Sequence, residues 1–171
     1  MVVFQELMLT LKLPKDVVAD SRHDAVRNLL TTNTRPLWED GSVHVPTFPL
    51  GPDLATECQQ AIALGAAFQG LETIVKVLAS EQKGLDALVA KAPDRPQQPR
   101  VSRLLLMAND GSKRFYRDCD SLLVKYTQRL LGCRLDVTGE VFGTALAGYP
   151  KLVRAVLIVE KKAVARALLA L

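Results

Sequence analysis

The sequence predicts a three-layer α/β/α sandwich that follows an N-terminal extension made of a strand, a helix and an arm. Apolar residues make up 49% of the chain, enough to bury a substantial core. From residue 54 onward, short apolar runs alternate with amphipathic helical segments, the order typical of α/β sandwiches. Before that point the pattern changes and prolines recur. We therefore place the extension and proline-rich arm at residues 1–53 and the α/β/α domain at residues 54–171.

The extension contains three different patterns. Residues 4–13 place leucines at alternate positions, which predicts a strand ended by Pro14. The segment KDVVADSRHDAVRNLL predicts a helix with Val18, Val26 and Leu30 on one face. Residues 31–53 are rich in proline and resist both a helix and a central strand. Because this arm also holds apolar residues, we expect it to lie on the domain or on a partner.

The domain is predicted to begin with a helix capped by Asp53 that runs through LATECQQAIALGAAF. A second helix runs from Leu71 to about Ser80, and KGLDALVAKA is either its continuation or a third short helix. PDRPQQPR predicts a loop. The pair Gly111–Ser112 opens a long helix that Gly132 is expected to end. VSRLLLMAND and LVRAVLIV predict buried strands, and CRLDV predicts a short strand. GEVFGTALAGYP and KKAVARALLAL predict the two last helices.

Charge and cysteine content restrict the chemistry. There are 22 Lys and Arg against 18 Asp and Glu, and the pI near 9.1 permits contact with phosphates. Cys58, Cys119 and Cys133 form no Cys-x-x-Cys pair, so we expect free thiols in a reducing compartment, mitochondrial or cytoplasmic. No secretory signal is expected at the amino terminus. No apolar run approaches the roughly 20 residues that span a bilayer.

No residue pattern predicts an enzyme. The two histidines, His23 and His44, lie far in sequence from Cys119 and Cys133, and a Gly-x-Ser-x-Gly motif is absent from the sequence. The few His and Cys residues show no metal-ligand spacing. We therefore expect no catalytic residue, no metal site and no cofactor.

Two segments were considered for phosphate binding. Gly65 and Gly70 have the spacing of a P-loop, but Leu71 and Glu72 occupy the positions of its Lys and Ser or Thr, which excludes that motif. NDGSKRFYR follows a predicted strand and opens a basic helix, and free amides at a helix start favour anions. The alternative is a capped surface helix with a solvated basic face.

A series of short motifs occurs in a defined order over roughly residues 58–170. Gly65 is followed five residues later by Gly70, which opens a Gly-x-Glu-x-x-x-Lys motif with Glu72 and Lys76. An apolar strand ends in LLLMANDGS, a basic helix carries Cys119, and EVFGTALAG and RAVLIV follow. In this order the motifs resemble the kink-turn RNA-binding ribosomal protein family, the L-seven-Ae and L-thirty-e proteins, and most of all its bacterial ribosome-associated branch.

The resemblance implies the same α/β/α fold and an RNA-facing helix that begins at Gly70. It implies a structural subunit of a ribosome or a ribosome-like particle, cytoplasmic or mitochondrial, with structured RNA as its partner. The arm would contact neighbouring proteins. The RNA-binding residues that we infer are Gly70, Glu72, Lys76, Lys113, Arg114, Arg117, Lys161 and Lys162.

Two other functions remain open at this point. In the first, the chain is a scaffold subunit that keeps the fold without RNA contact, and the LMLTLKL strand and the arm dock on other proteins. In the second, the chain is a small enzyme or an anion-binding module that uses NDGSKRFYR as its site. Salt-sensitive binding would favour RNA contact, because each phosphate contact adds to the salt dependence.

Overall fold

The computed structural model describes residues 11–94 and 100–171, which form a five-stranded mixed sheet between two layers of helices. This arrangement confirms the predicted α/β/α sandwich. The elements in chain order are α1 (Lys15–Val18), α2 (His23–Thr31), β1 (Arg35–Pro36), β2 (His44–Val45), β3 (Thr47–Phe48), α3 (Pro52–Ala63), β4 (Ala67–Gln69), α4 (Leu71–Lys91), β5 (Arg103–Met107), α5 (Lys113–Lys125), β6 (Leu130–Leu135), α6 (Gly139–Ala147), β7 (Ala155–Ile158) and α7 (Lys161–Leu169).

The strand order of the sheet is β3-β6-β5-β7-β4. Strands β3, β6 and β5 are parallel to one another, whereas β7 runs antiparallel to both β5 and β4. Successive side chains of β5 alternate between the faces: Leu104 and Leu106 pack on one side, Leu105 and Met107 on the other. All four are fully buried, which explains why this strand is continuously apolar in the sequence.

Each face of the sheet is covered by its own helices. One layer consists of α4 and α5, whose buried residues include Ile74, Leu78 and Leu122. The other layer consists of α1, α2, α3, α6 and α7, and α3 packs against both α6 and α7. Within the described residues, none of the helices has both the length and the apolar character needed to cross a membrane.

The proline-rich arm lies on the domain itself. Leu37 and Val45 are buried against the layer of α4 and α5, and Phe48 belongs to the core on the opposite face. Strand β3 of the arm pairs with β6 at the edge of the sheet, which is where proline-flanked strands are tolerated. Of the strand predicted over 4–13, residues 4–10 lie outside the described residues. Residues 11–13 form no strand, although the Lys12 carbonyl accepts a hydrogen bond from the Val101 amide at 2.8 Å.

The single helix predicted after Pro14 is wrong, because the structure has two helices separated by a turn. The Asp20 carboxylate accepts the Arg22 amide at 2.8 Å, and such a local bond competes with helix continuation. Val26 and Leu30 are buried as expected, but Val18 is exposed because it precedes the turn.

Two predicted helix boundaries near α3 are also wrong. Its N-cap is Gly51, followed by Pro52 in the first turn, and Asp53 lies inside the helix. At the other end the helix stops at Ala63, because Gly65 adopts a left-handed conformation with φ of 72°. The next residues, predicted as helical, form β4 at the edge of the sheet.

Helix α4 is continuous over 21 residues, so KGLDALVAKA is its continuation. Helix α5 ends at Lys125, and the prediction that it reaches Gly132 is wrong, since Gly132 lies in β6. A Cβ atom on Gly132 would lie 2.7 Å from the Leu123 side chain, so glycine is needed for α5 to pack closely on the sheet. The strands predicted in VSRLLLMAND, CRLDV and LVRAVLIV and the last two helices are confirmed.

Candidate nucleic-acid interface

Helix α4 begins at Gly70, which has a φ of 87° that favours glycine. The Gly70 amide donates to the Ala155 carbonyl at 3.0 Å, which fixes the helix start against β7. No side chain caps the first turn of α4, so its amides are available to an anion. Glu72 lies in this turn and pairs with Lys76 at 3.3 Å, and both side chains are largely exposed.

Helix α5 begins after Ser112, whose hydroxyl accepts the Phe115 amide at 3.1 Å. NDGSKRFYR is therefore the start of a capped helix, which agrees with the predicted alternative of a capped surface helix. Lys113 forms an ion pair with Glu39 of the arm, and its ammonium lies 5.8 Å from the centroid of the Trp38 ring. The pair raises the pKa of Lys113 and lowers that of Glu39, in both cases mainly through their hydrogen bond.

Two arginines follow Lys113 on the same helix. Arg114 is exposed, and Arg117 has its Nε atom 4.0 Å from the Asp118 carboxylate. Both guanidinium groups are open to solvent, so both remain accessible to a phosphate.

The topology brings the starts of α4 and α5 to one end of the sheet. Met107 ends β5 and pairs with Ala155, the residue whose carbonyl holds the Gly70 amide. Helices α4 and α5 also pack against each other in one layer. We call this surface the helix-start end and define it by the predicted site residues that it contains: Gly70, Glu72, Lys76, Lys113, Arg114 and Arg117.

Lys161 and Lys162 lie elsewhere. They open α7, which follows β7, and the last residue of β7 pairs with Leu104 near the beginning of β5. They are therefore at the opposite end of the sheet, and α7 belongs to the opposite helical layer. The predicted site residues thus divide into two separate groups.

Apart from Glu72, the acidic residues at the helix-start end were not part of the predicted site. Asp110 accepts the Gly139 amide at 2.8 Å and lies 3.4 Å from Arg154, so it ties α6 and the start of β7 to the end of β5. Nearby, the Asn109 amide donates to Asp136 at 3.1 Å. The sequence could have indicated Asp110, because it directly follows a predicted strand. The position of Glu39 beside Lys113 could not be predicted, because it depends on how the arm folds back onto α5.

All three cysteines are buried free thiols, and burial raises the pKa of Cys58 and Cys119 to about 12 and that of Cys133 further. Within the described ranges, 11–94 and 100–171, no three His, Cys, Asp or Glu residues are grouped so that they could hold a metal ion.

Comparisons of the chain with protein-family models, with curated proteins and with solved structures gave no match.

Proposed function

We propose that this protein is an RNA-binding structural subunit of a ribosome or a ribosome-like ribonucleoprotein particle, cytoplasmic or mitochondrial. The observation that carries the proposal is the shared location of the α4 and α5 starts. It combines the uncapped first turn of α4 with exposed Arg114 and Arg117 on a neighbouring helix. Amides at a helix start and arginine side chains are the groups that bind phosphate oxygens without reading sequence.

The ordered motifs in the sequence are a second support, because they place the expected RNA-facing helix at Gly70. The ion pairs at this end do not oppose the proposal. Pairs such as Glu72–Lys76 lie at the surface, where they contribute about 0–1 kcal/mol, so a phosphate can displace the carboxylate.

The test is a pull-down of the tagged protein from a cell extract, with and without ribonuclease, followed by sequencing of the attached RNA. We expect ribosomal RNA from a large particle that ribonuclease disperses. A matched binding assay uses a labelled RNA stem-loop with an internal bulge and titrates salt. Replacing Arg114 and Arg117 by Gln should lower the log–log salt slope by about 0.7–0.9 for each lost phosphate contact. A salt-independent affinity would contradict the proposal.

The scaffold function remains a second candidate, and one observation favours it. The carboxyl-terminal half of α4 is exposed, although Leu85, Leu88 and Val89 continue its apolar face. A large particle that resists ribonuclease and is lost when Leu85 and Leu88 are replaced by Gln would support this function. The described part of the arm packs on its own domain, so α4 is a better docking element than residues 35–48.

A further inference from the structure

A second group of basic residues lies at the end of the sheet opposite the α4 and α5 starts. This end is where β5 and β6 begin and where β7 finishes. Lys12 reaches it because its carbonyl accepts the Val101 amide, two residues before β5. We call it the basic end and define it by Lys12, Arg100, Lys125, Arg129, Lys161 and Lys162.

Positive charge at the basic end is only partly compensated. Arg103 and Arg129 share a single carboxylate, that of Glu81, at 2.6 and 3.1 Å. The Arg129 Nη2 atom is buried and has no hydrogen-bond partner in the described part of the chain. Arg100 donates to the Leu13 carbonyl at 3.0 Å, and this neutral acceptor leaves the charge of Arg100 in place.

The two lysines at the start of α7 add exposed charge. Lys161 and Lys162 are both exposed, and neither forms an ion pair with any described residue. Their acidic neighbour is Glu160, the residue before the helix. At the helix-start end, by contrast, Lys76, Lys113 and Arg117 each have a carboxylate within 4 Å.

The separation of the two ends makes them electrostatically independent. Strand β5 has five residues, which corresponds to about 17 Å at a rise of about 3.3 Å per residue. The Debye length at physiological salt is about 8 Å, so charge at one end is largely screened from the other. One short RNA backbone segment at the helix-start end therefore gains little from Lys161 or Lys162.

We propose that the basic end is a second RNA-backbone surface, so that the protein bridges two segments of a folded RNA. This inference rests on the proposed RNA-binding function. The basic side chains come from residues around the starts of β5 and β6 and the start of α7, and several separate charges suit a polyphosphate chain better than a single anion. Bridging is the task expected of a structural subunit that contacts phosphate without reading bases.

The experiment compares three variants of the full chain. Lys161→Gln with Lys162→Gln alters the basic end, and Arg114→Gln with Arg117→Gln alters the helix-start end. Arg35→Gln, which is exposed and outside both groups, is the control. Affinity for a labelled, bulged RNA stem-loop is measured against salt. Energy transfer between two RNAs with different dyes reports whether one protein holds both.

We expect the wild-type protein and Arg35→Gln to produce energy transfer. The Lys161/Lys162 variant should still bind one RNA but lose most of the energy transfer, with a salt slope reduced by about 0.7–0.9 per lost contact. If the wild type binds RNA and this variant behaves identically, the second surface is ruled out while the proposed function stands. If the wild type binds no RNA, the proposed function and this inference both fail.

Discussion

The Asp120 carboxylate of α5 holds the arm, because it accepts the Val43 backbone amide at 2.9 Å. The same carboxylate accepts the Ser42 amide at 3.0 Å, and Asp120 is only 6% exposed. A buried carboxylate is stable only when it is hydrogen-bonded, and two backbone amides provide this. The contact joins residues 78 and 77 positions apart in the sequence and explains why the arm lies on its own domain.

The first prediction concerns this contact. Replacing Asp120 with Ala should lower the free energy of unfolding by about 2–4 kcal/mol, because two buried amides lose their charged acceptor. Urea denaturation measures the change, and limited proteolysis should show faster cleavage within residues 37–45. Asp118→Ala is the control, since Asp118 is half-exposed and its nearest cation is 4.0 Å away. Equal stability of the two variants would contradict the assigned role of Asp120.

The second prediction compares two glycines. A Cβ atom on Gly143 of α6 would lie 2.6 Å from the Lys151 carbonyl carbon and closer still to its oxygen. Gly143→Ala should therefore destabilise the fold by about 3 kcal/mol or more, because backbone must move to make room. At Gly84 of α4 nothing lies within 4 Å of the corresponding atom.

Gly84→Ala is the matched control, and it should stabilise the protein by about 0.5–1 kcal/mol, because alanine has the higher helix propensity. Thermal denaturation of both variants measures the two changes, which should have opposite signs. Destabilisation by Gly84→Ala would mean that this part of α4 is not helical.

The third prediction concerns pH. Burial acts to raise the pKa of Glu81, but the hydrogen bonds and charges of Arg103 and Arg129 outweigh it and hold the pKa below its usual value. A depressed pKa in the folded state stabilises the protein above the unfolded pKa, about 4.3, and this contribution disappears as the pH falls through the folded pKa. Stability should therefore decrease below about pH 4.

Glu81→Gln isolates this contribution. At pH 7 it should lower the free energy of unfolding by about 2 kcal/mol, since two largely buried arginines lose their shared carboxylate. The loss should shrink on acidification, as the wild-type carboxylate itself becomes protonated. A difference between the two proteins that stays constant from pH 7 to pH 3 would be inconsistent with the shifted pKa.

The fourth prediction concerns the thiols. With pKa values of about 12 for Cys58 and Cys119, and a still higher value for Cys133, almost no thiolate exists at pH 8. A thiol-specific reagent should label the native protein at least about tenfold more slowly than the protein in denaturant. Rapid labelling of the native protein would show that the core opens locally.

The strands and the last two helices could be predicted because the spacing of their apolar residues matches the faces that they bury. Residues 104–108 are apolar on both faces of the strand, and the structure buries them from both sides. The boundaries that were wrong depend on contacts between distant residues or on single backbone conformations. Gly132 reads as a helix end, but it lies in β6 because Leu123 packs against it. The left-handed conformation of Gly65 ends α3 earlier than predicted, and the residues that follow form β4.

The sequence by itself determined the sandwich, through the alternation of apolar runs with amphipathic segments. It also determined which side chains are basic. Only the tertiary structure decided which of these side chains share a surface. Lys161 and Lys162 follow a strand antiparallel to β5, and they therefore lie at the end opposite Arg114. The tertiary structure also decided the pairing of Lys113 with Glu39, because this pair forms only when the arm folds onto α5. The direction of a strand and the folding back of the arm depend on contacts between residues that are distant in the sequence. Local sequence patterns therefore do not predict them.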